Sequence, residues 1–66
     1  MLKDTYHDIV HQLSETMDSL WRMEEYIMNA QKENKPELAE FWKKFQTLLT
    51  EQAKILKEEL ERIVKI

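Results

Sequence analysis

The chain has no cysteine, no glycine and a single proline, Pro36. Without cysteine it has no disulfide framework and no thiolate metal site, which fits a cytosolic, cytoplasmic chain. Without glycine it has no glycine-rich loop to cradle a phosphate group. No run approaches the roughly 20 apolar residues that cross a bilayer. The start, Met1-Leu2-Lys3-Asp4, lacks the apolar core of a signal peptide. An excess of positive charge is missing too: 10 Lys and Arg stand against 13 Asp and Glu, a net charge of −3. A duplex nucleic-acid binder presents a basic face, whereas Lys43, Lys44, Lys54 and Lys57 here have glutamates close by. Nucleic acid and membrane surfaces are therefore not expected partners. No cofactor or small-molecule substrate is expected either.

What remains is a single domain over residues 1–66, rich in helix formers. At 42% hydrophobic it is too apolar for disorder, yet a chain this short buries little and is marginal alone. In the first half Tyr6, Val10, Leu13, Met17, Leu20 and Ile27 recur at steps of three and four, with Glu24 and Gln31 filling the remaining positions. That is the a/d stripe of a heptad. Ile9, Met23 and Ala30 widen it on one side, Trp21 and Met28 on the other. In the second half apolar pairs recur every seven residues: Phe41-Trp42, Leu48-Leu49 and Ile55-Leu56, then Ile63-Val64 after a slip of one, with Phe45, Gln52 and Leu60 between.

The spacing predicts an all-α, antiparallel two-helix hairpin, with helices over about 4–33 and 36–65 and left-handed coiled-coil-like packing. Thr5-Tyr6-His7-Asp8 matches a capping box, with Asp4 as an alternative cap. Asn34 is placed to take the left-handed conformation that ends helix one. Lys35 is held out of the helical region by the proline after it. Pro36 suits the first turn of helix two, and Glu37 and Glu40 follow near the positive end of its dipole.

A hairpin needs one narrow seam from each helix, and this chain offers about three apolar positions per heptad, the width used in larger bundles. Trp42, Leu49 and Leu56 read as the seam of helix two, and Phe41, Leu48 and Ile55 as a flank beside it. The expectation is a homodimer of hairpins forming a four-helix bundle, with Phe41, Leu48, Ile55, Trp42 and Phe45 at the oligomer interface. In shape this resembles the hairpin-dimer plasmid copy-number regulators, an analogy of architecture that no shared motif carries. Trp21, Met23, Met28 and Tyr26 are candidates for a surface that meets another protein, since methionine and aromatic side chains are enriched at interfaces.

Catalytic constellations are missing. Ser14, Thr16 and Ser19 have no histidine–carboxylate relay beside them. Glu24 and Gln52 interrupt the seams; Glu24 reads first as a rim carboxylate that points to solvent where the stripe drifts, then as a residue that sets register, and only remotely as a catalytic group, and it is expected near Phe45. His7 and His11 are four apart, so they share a helix face, with Asp4 and Asp8 three residues before them. Folding at the proline would bring Glu58 and Glu61 to the same end of the hairpin. A metal-binding bundle built on these six residues is the alternative to a non-enzymatic interaction protein, and an RNA-binding hairpin dimer is a second alternative.

Overall fold

The computed structural model describes the backbone of residues 2–64 and the side chains of residues 4–64. Two helices, α1 (Leu2–Lys32) and α2 (Pro36–Val64), pack against each other along a rod of 50 × 15 × 12 Å. At about 1.5 Å of rise per residue, helices of this length account for the long axis. The start of α1 differs from the expected capping box. The helix is already under way at Leu2, so Asp4 lies in its first turn, where its charge meets the positive end of the dipole. Residue 65, the expected end of α2, lies outside the described residues.

The turn is a Schellman closure followed at once by a new helix. Asn34 has φ 58°, the left-handed region. The Asn34 N–H donates to the Gln31 carbonyl at 3.1 Å, and the Lys35 N–H to the Ala30 carbonyl at 2.9 Å, so the last carbonyls of α1 are satisfied. Lys35 then serves as the cap of α2: its carbonyl accepts from the Ala39 N–H at 3.1 Å. Pro36 takes the first helical position, where a missing N–H breaks no bond. Three residues thus reverse the chain.

The buried and half-buried positions identify the true seam. Apart from Ser19, Tyr26 and Glu59, half-buried beside the seam, they are Ile9, Leu13, Thr16, Leu20, Met23, Ile27 and Ala30 on α1, and Ala39, Trp42, Gln46, Leu49, Ala53, Leu56, Leu60 and Ile63 on α2. Both sets step by three and four. Leu13, Leu20 and Ile27 on α1 and Trp42, Leu49, Leu56 and Leu60 on α2 lie where the sequence reading puts them, Tyr6 is exposed, and the remaining positions are shifted by one residue. Val10, Met17, Glu24 and Gln31 yield to Ile9, Thr16, Met23 and Ala30; Phe45 and Gln52 yield to Gln46 and Ala53. The physical reason lies in the layers. Tyr26 meets Trp42 across the hairpin, and Gln12 shares a groove with Gln52 and Leu56. That register sets Ala30 level with Ala39 and Thr16 level with Ala53. Small side chains facing each other in one layer suit close packing of two helices, and Leu20 with Leu49 and Leu13 with Leu56 take the layers on either side of Thr16 and Ala53. The shift also removes the charged interruption from α1, because Glu24 faces solvent. Each large aliphatic chain buried here contributes about 1.5–3 kcal/mol.

The slip before Ile63 disappears in this register. Ile63 keeps the seam position seven residues after Leu56, and Val64 is exposed. The flank ends instead in Arg62, whose guanidinium Nε donates to the Glu59 carboxylate at 2.9 Å.

Candidate functional site

The seam leaves much of the apolar side-chain surface in water. On α2 a second stripe runs beside it: Leu38, Phe41, Phe45, Leu48, Gln52 and Ile55, all exposed. Its spacing is again three and four, so these side chains form one line along the helix. On α1 a sparser line holds Val10, Met17, Trp21 and Met28, with Glu24 among them; Trp21 is 77% exposed.

The two lines lie on opposite sides of the rod. In an antiparallel pair of right-handed helices, positions just after the seam on both helices share one side, and positions just before it share the other. The α1 line follows its seam, and the α2 line precedes its own. The grooves agree with this. Met17, Leu20, Trp21 and Glu24 line one groove with Gln46, while Gln52 and Ile55 line another with Gln12. Glu24 is thus on the side away from Phe45, contrary to the expectation from sequence. Lys43, on the same side as Glu24, has its ammonium 3.1 Å from Glu40 instead. One symmetric contact with a second hairpin would cover one line and leave the other open.

The α2 line is held in place by Trp42. This indole is half-buried in the seam, 5.0 Å from the ring of Tyr26, 4.9 Å from Phe41 in edge contact and 6.1 Å from Phe45, also edge-on. Phe41 and Phe45 stack one turn apart at 6.4 Å. Edge-to-face and offset arrangements at these separations are favourable for aromatic quadrupoles. The exposed phenyl rings therefore stand on a rigid base tied to both helices.

Of the four residues proposed from sequence as a partner surface, two are large apolar side chains left exposed, Trp21 and Met28. Trp21 and Met28 line an open groove with Glu24 and Glu25. Met23 is instead 3% exposed and forms part of the seam. Tyr26 is half-buried against Trp42 and faces the α2 line. Of the five residues assigned to an oligomer interface, Phe41, Phe45, Leu48 and Ile55 are exposed on the α2 line, and Trp42 lies mainly inside the hairpin. Leu38, 40% exposed, belongs to the same line, and its place seven residues before Phe45 is the sequence signal that marks it.

His7 and His11 stand side by side on the exposed face of α1, their ring centroids 6.4 Å apart. Asp4, Asp8, Glu58 and Glu61 are exposed as well. Among the described residues no group of three or more histidine, cysteine, aspartate or glutamate side chains is arranged to hold a metal ion. Among the described residues the carboxylate with a clear perturbation is Glu59, lowered chiefly by its hydrogen bond from Arg62; Arg62 is raised in turn by the same bond. This is a surface ion pair one turn long, and such pairs contribute little. Among the described residues no helix is long and apolar enough to cross a membrane. No protein-family model, curated protein or solved structure matches this chain.

Proposed function

We propose that this chain is a non-enzymatic interaction protein: a helical hairpin that associates with a second copy to form a four-helix assembly and offers a further face to another protein, as small adaptors, secretion chaperones and regulators do. A cytoplasmic setting is part of this proposal. The observation that supports it is the pair of apolar lines left outside the seam, on opposite sides of the rod. Proteins that stay monomeric rarely expose apolar patches beyond a few hundred Å2. Each large side chain left in water forgoes about 1.5–3 kcal/mol of burial. The two lines suit two different contacts, one on α2 and one on α1 around Trp21.

Sedimentation equilibrium over a range of micromolar concentrations tests the first contact. The expected result is a reversible monomer–dimer equilibrium with helicity retained in the dimer. A fully helical monomer at every concentration would remove self-association from the proposal.

A further inference from the structure

The α2 line is the more continuous of the two: five of its six places are large and apolar and only Gln52 is polar, whereas the α1 line carries Ser14 and Glu24 among its six. From Leu38 through Phe41, Phe45, Leu48 and Gln52 to Ile55 the intervals are three, four, three, four and three. Read in either direction they are the same. A two-fold axis crossing α2 between Gln46 and Thr47 therefore brings every position of the line level with another position of the same line in a second copy. We propose that the occupant of this face is α2 of a second copy, antiparallel, with Leu38 against the partner's Ile55, Phe41 against the partner's Gln52 and Phe45 against the partner's Leu48. This rests on the self-association proposed above and specifies its geometry.

Area supports the choice of occupant. Leu38, Phe41, Phe45, Leu48 and Ile55 leave 40, 53, 39, 61 and 55% of their surface in water. At about 200 Å2 for a large apolar side chain this is on the order of 500 Å2. A standard stable interface takes roughly 800 Å2 from each partner, so these side chains supply the larger part and the polar rim supplies the rest. Charge supports it as well. In an antiparallel pair the positions just before the line on each helix face one another. Here Lys44 meets the partner's Glu51, and symmetry makes that contact twice near the axis. Further out Glu37 meets the partner's Glu58, a like-charge contact at the solvated ends of the stripe. The α1 lines then lie on the two outer sides of the dimer, one on each, so the assembly presents two copies of the Trp21 face.

Because the chain has no cysteine, introduced cysteines report on geometry without background. Lys44→Cys and Glu51→Cys chains, mixed and treated with a short bis-maleimide, should give the mixed 44–51 product in preference to either homodimer. Both positions are exposed, and circular dichroism verifies that the variants fold. In parallel, Lys44→Glu or Glu51→Lys alone should weaken dimerisation roughly three- to thirty-fold, and the two together should restore it to within about two-fold. A dimer that links 44 to 44, or one whose charge exchange gives no rescue, overturns the antiparallel α2 pairing while leaving self-association standing. A chain that is monomeric throughout overturns both.

Discussion

The rings of Tyr26 and Trp42 lie 5.0 Å apart across the hairpin, and Trp42 in turn carries Phe41 and Phe45 on its edges. Tyr26 thus connects α1 to the exposed face of α2. Aromatic pairs of this kind contribute about 0.5–1.5 kcal/mol beyond their buried area. In a double-mutant cycle with Tyr26→Leu and Trp42→Leu, the coupling energy from urea unfolding should fall in that range. Tyr26→Leu should also increase the mobility of the Phe41 and Phe45 rings, seen as averaged aromatic NMR shifts. Additive effects would show that Tyr26 only covers Trp42.

Asn34 holds a left-handed conformation in a turn of three residues. Asparagine tolerates this region, and a β-branched residue does not. Asn34→Val should therefore destabilise the hairpin by about 1–2 kcal/mol. Asn34→Gly should change little, because easier access to positive φ is offset by the roughly 0.5–1 kcal/mol of extra entropy that glycine loses on folding. Thermal melts at one fixed chain concentration check both, since any association makes Tm concentration-dependent. Equal tolerance of valine and glycine would mean that the turn relaxes to another closure.

The helices and their turn were legible in the sequence because Pro36, Asn34 and the seven-residue rhythm act locally. The register of the faces was only half legible. Large side chains carry most of the hydrophobic signal, and Val10 and Met17 mark the stripe one residue off the seam. The seam is set instead by where small residues permit close approach, and Thr16, Ala39 and Ala53 carry almost no hydrophobic signal. Their regular spacing, with Ala30 fourteen residues after Thr16 and Ala53 fourteen after Ala39, was the readable clue. That two apolar lines fall on opposite sides depends on this half-step. The excess of apolar surface, by contrast, needed only counting.

Thr16 is 2% exposed, with its hydroxyl accepting from the Gln12 amide at a long 3.4 Å. Its size, more than its hydroxyl, suits the layer it shares with Ala53. Thr16→Ala should be tolerated, at a cost within about 1.5 kcal/mol, because it leaves a small gap beside a small neighbour. Thr16→Leu should cost about 1–3 kcal/mol by overpacking. Chemical denaturation of the two variants checks the order. Greater tolerance of leucine than of alanine would show that the helices are not held at this distance.

Glu59 provides a pH readout at the open end of the hairpin. Its carboxyl is held below the ordinary carboxylate range by the hydrogen bond from Arg62. A folded value below the unfolded one gives stability that is present above the ordinary carboxylate range and lost as pH falls through the folded value. Arg62→Ala should return the Glu59 titration toward the ordinary range in an NMR pH series, with little change in neutral-pH stability. An unmoved Glu59 midpoint would mean that the pair does not persist in solution.

Leu48 and Leu49 are adjacent in sequence and opposite in role: Leu49 is 7% exposed in the seam and Leu48 is 61% exposed on the α2 line. An aspartate at each should separate folding from association. Leu49→Asp buries an unpaired charge between the helices, which costs several kcal/mol, more than a small hairpin can absorb. It should lose most of its helical circular dichroism at any concentration. Leu48→Asp places the charge in water in the monomer and at the centre of the proposed dimer. It should sediment as a smaller species, with part of its helicity retained and recovered at low temperature or in sulfate. Phe45 is 39% exposed on the same line, so Phe45→Asp belongs with Leu48→Asp in this comparison. If all three variants lose helicity together, hairpin and dimer form in one cooperative step, and the α2 line is then part of the folding core of an obligate dimer.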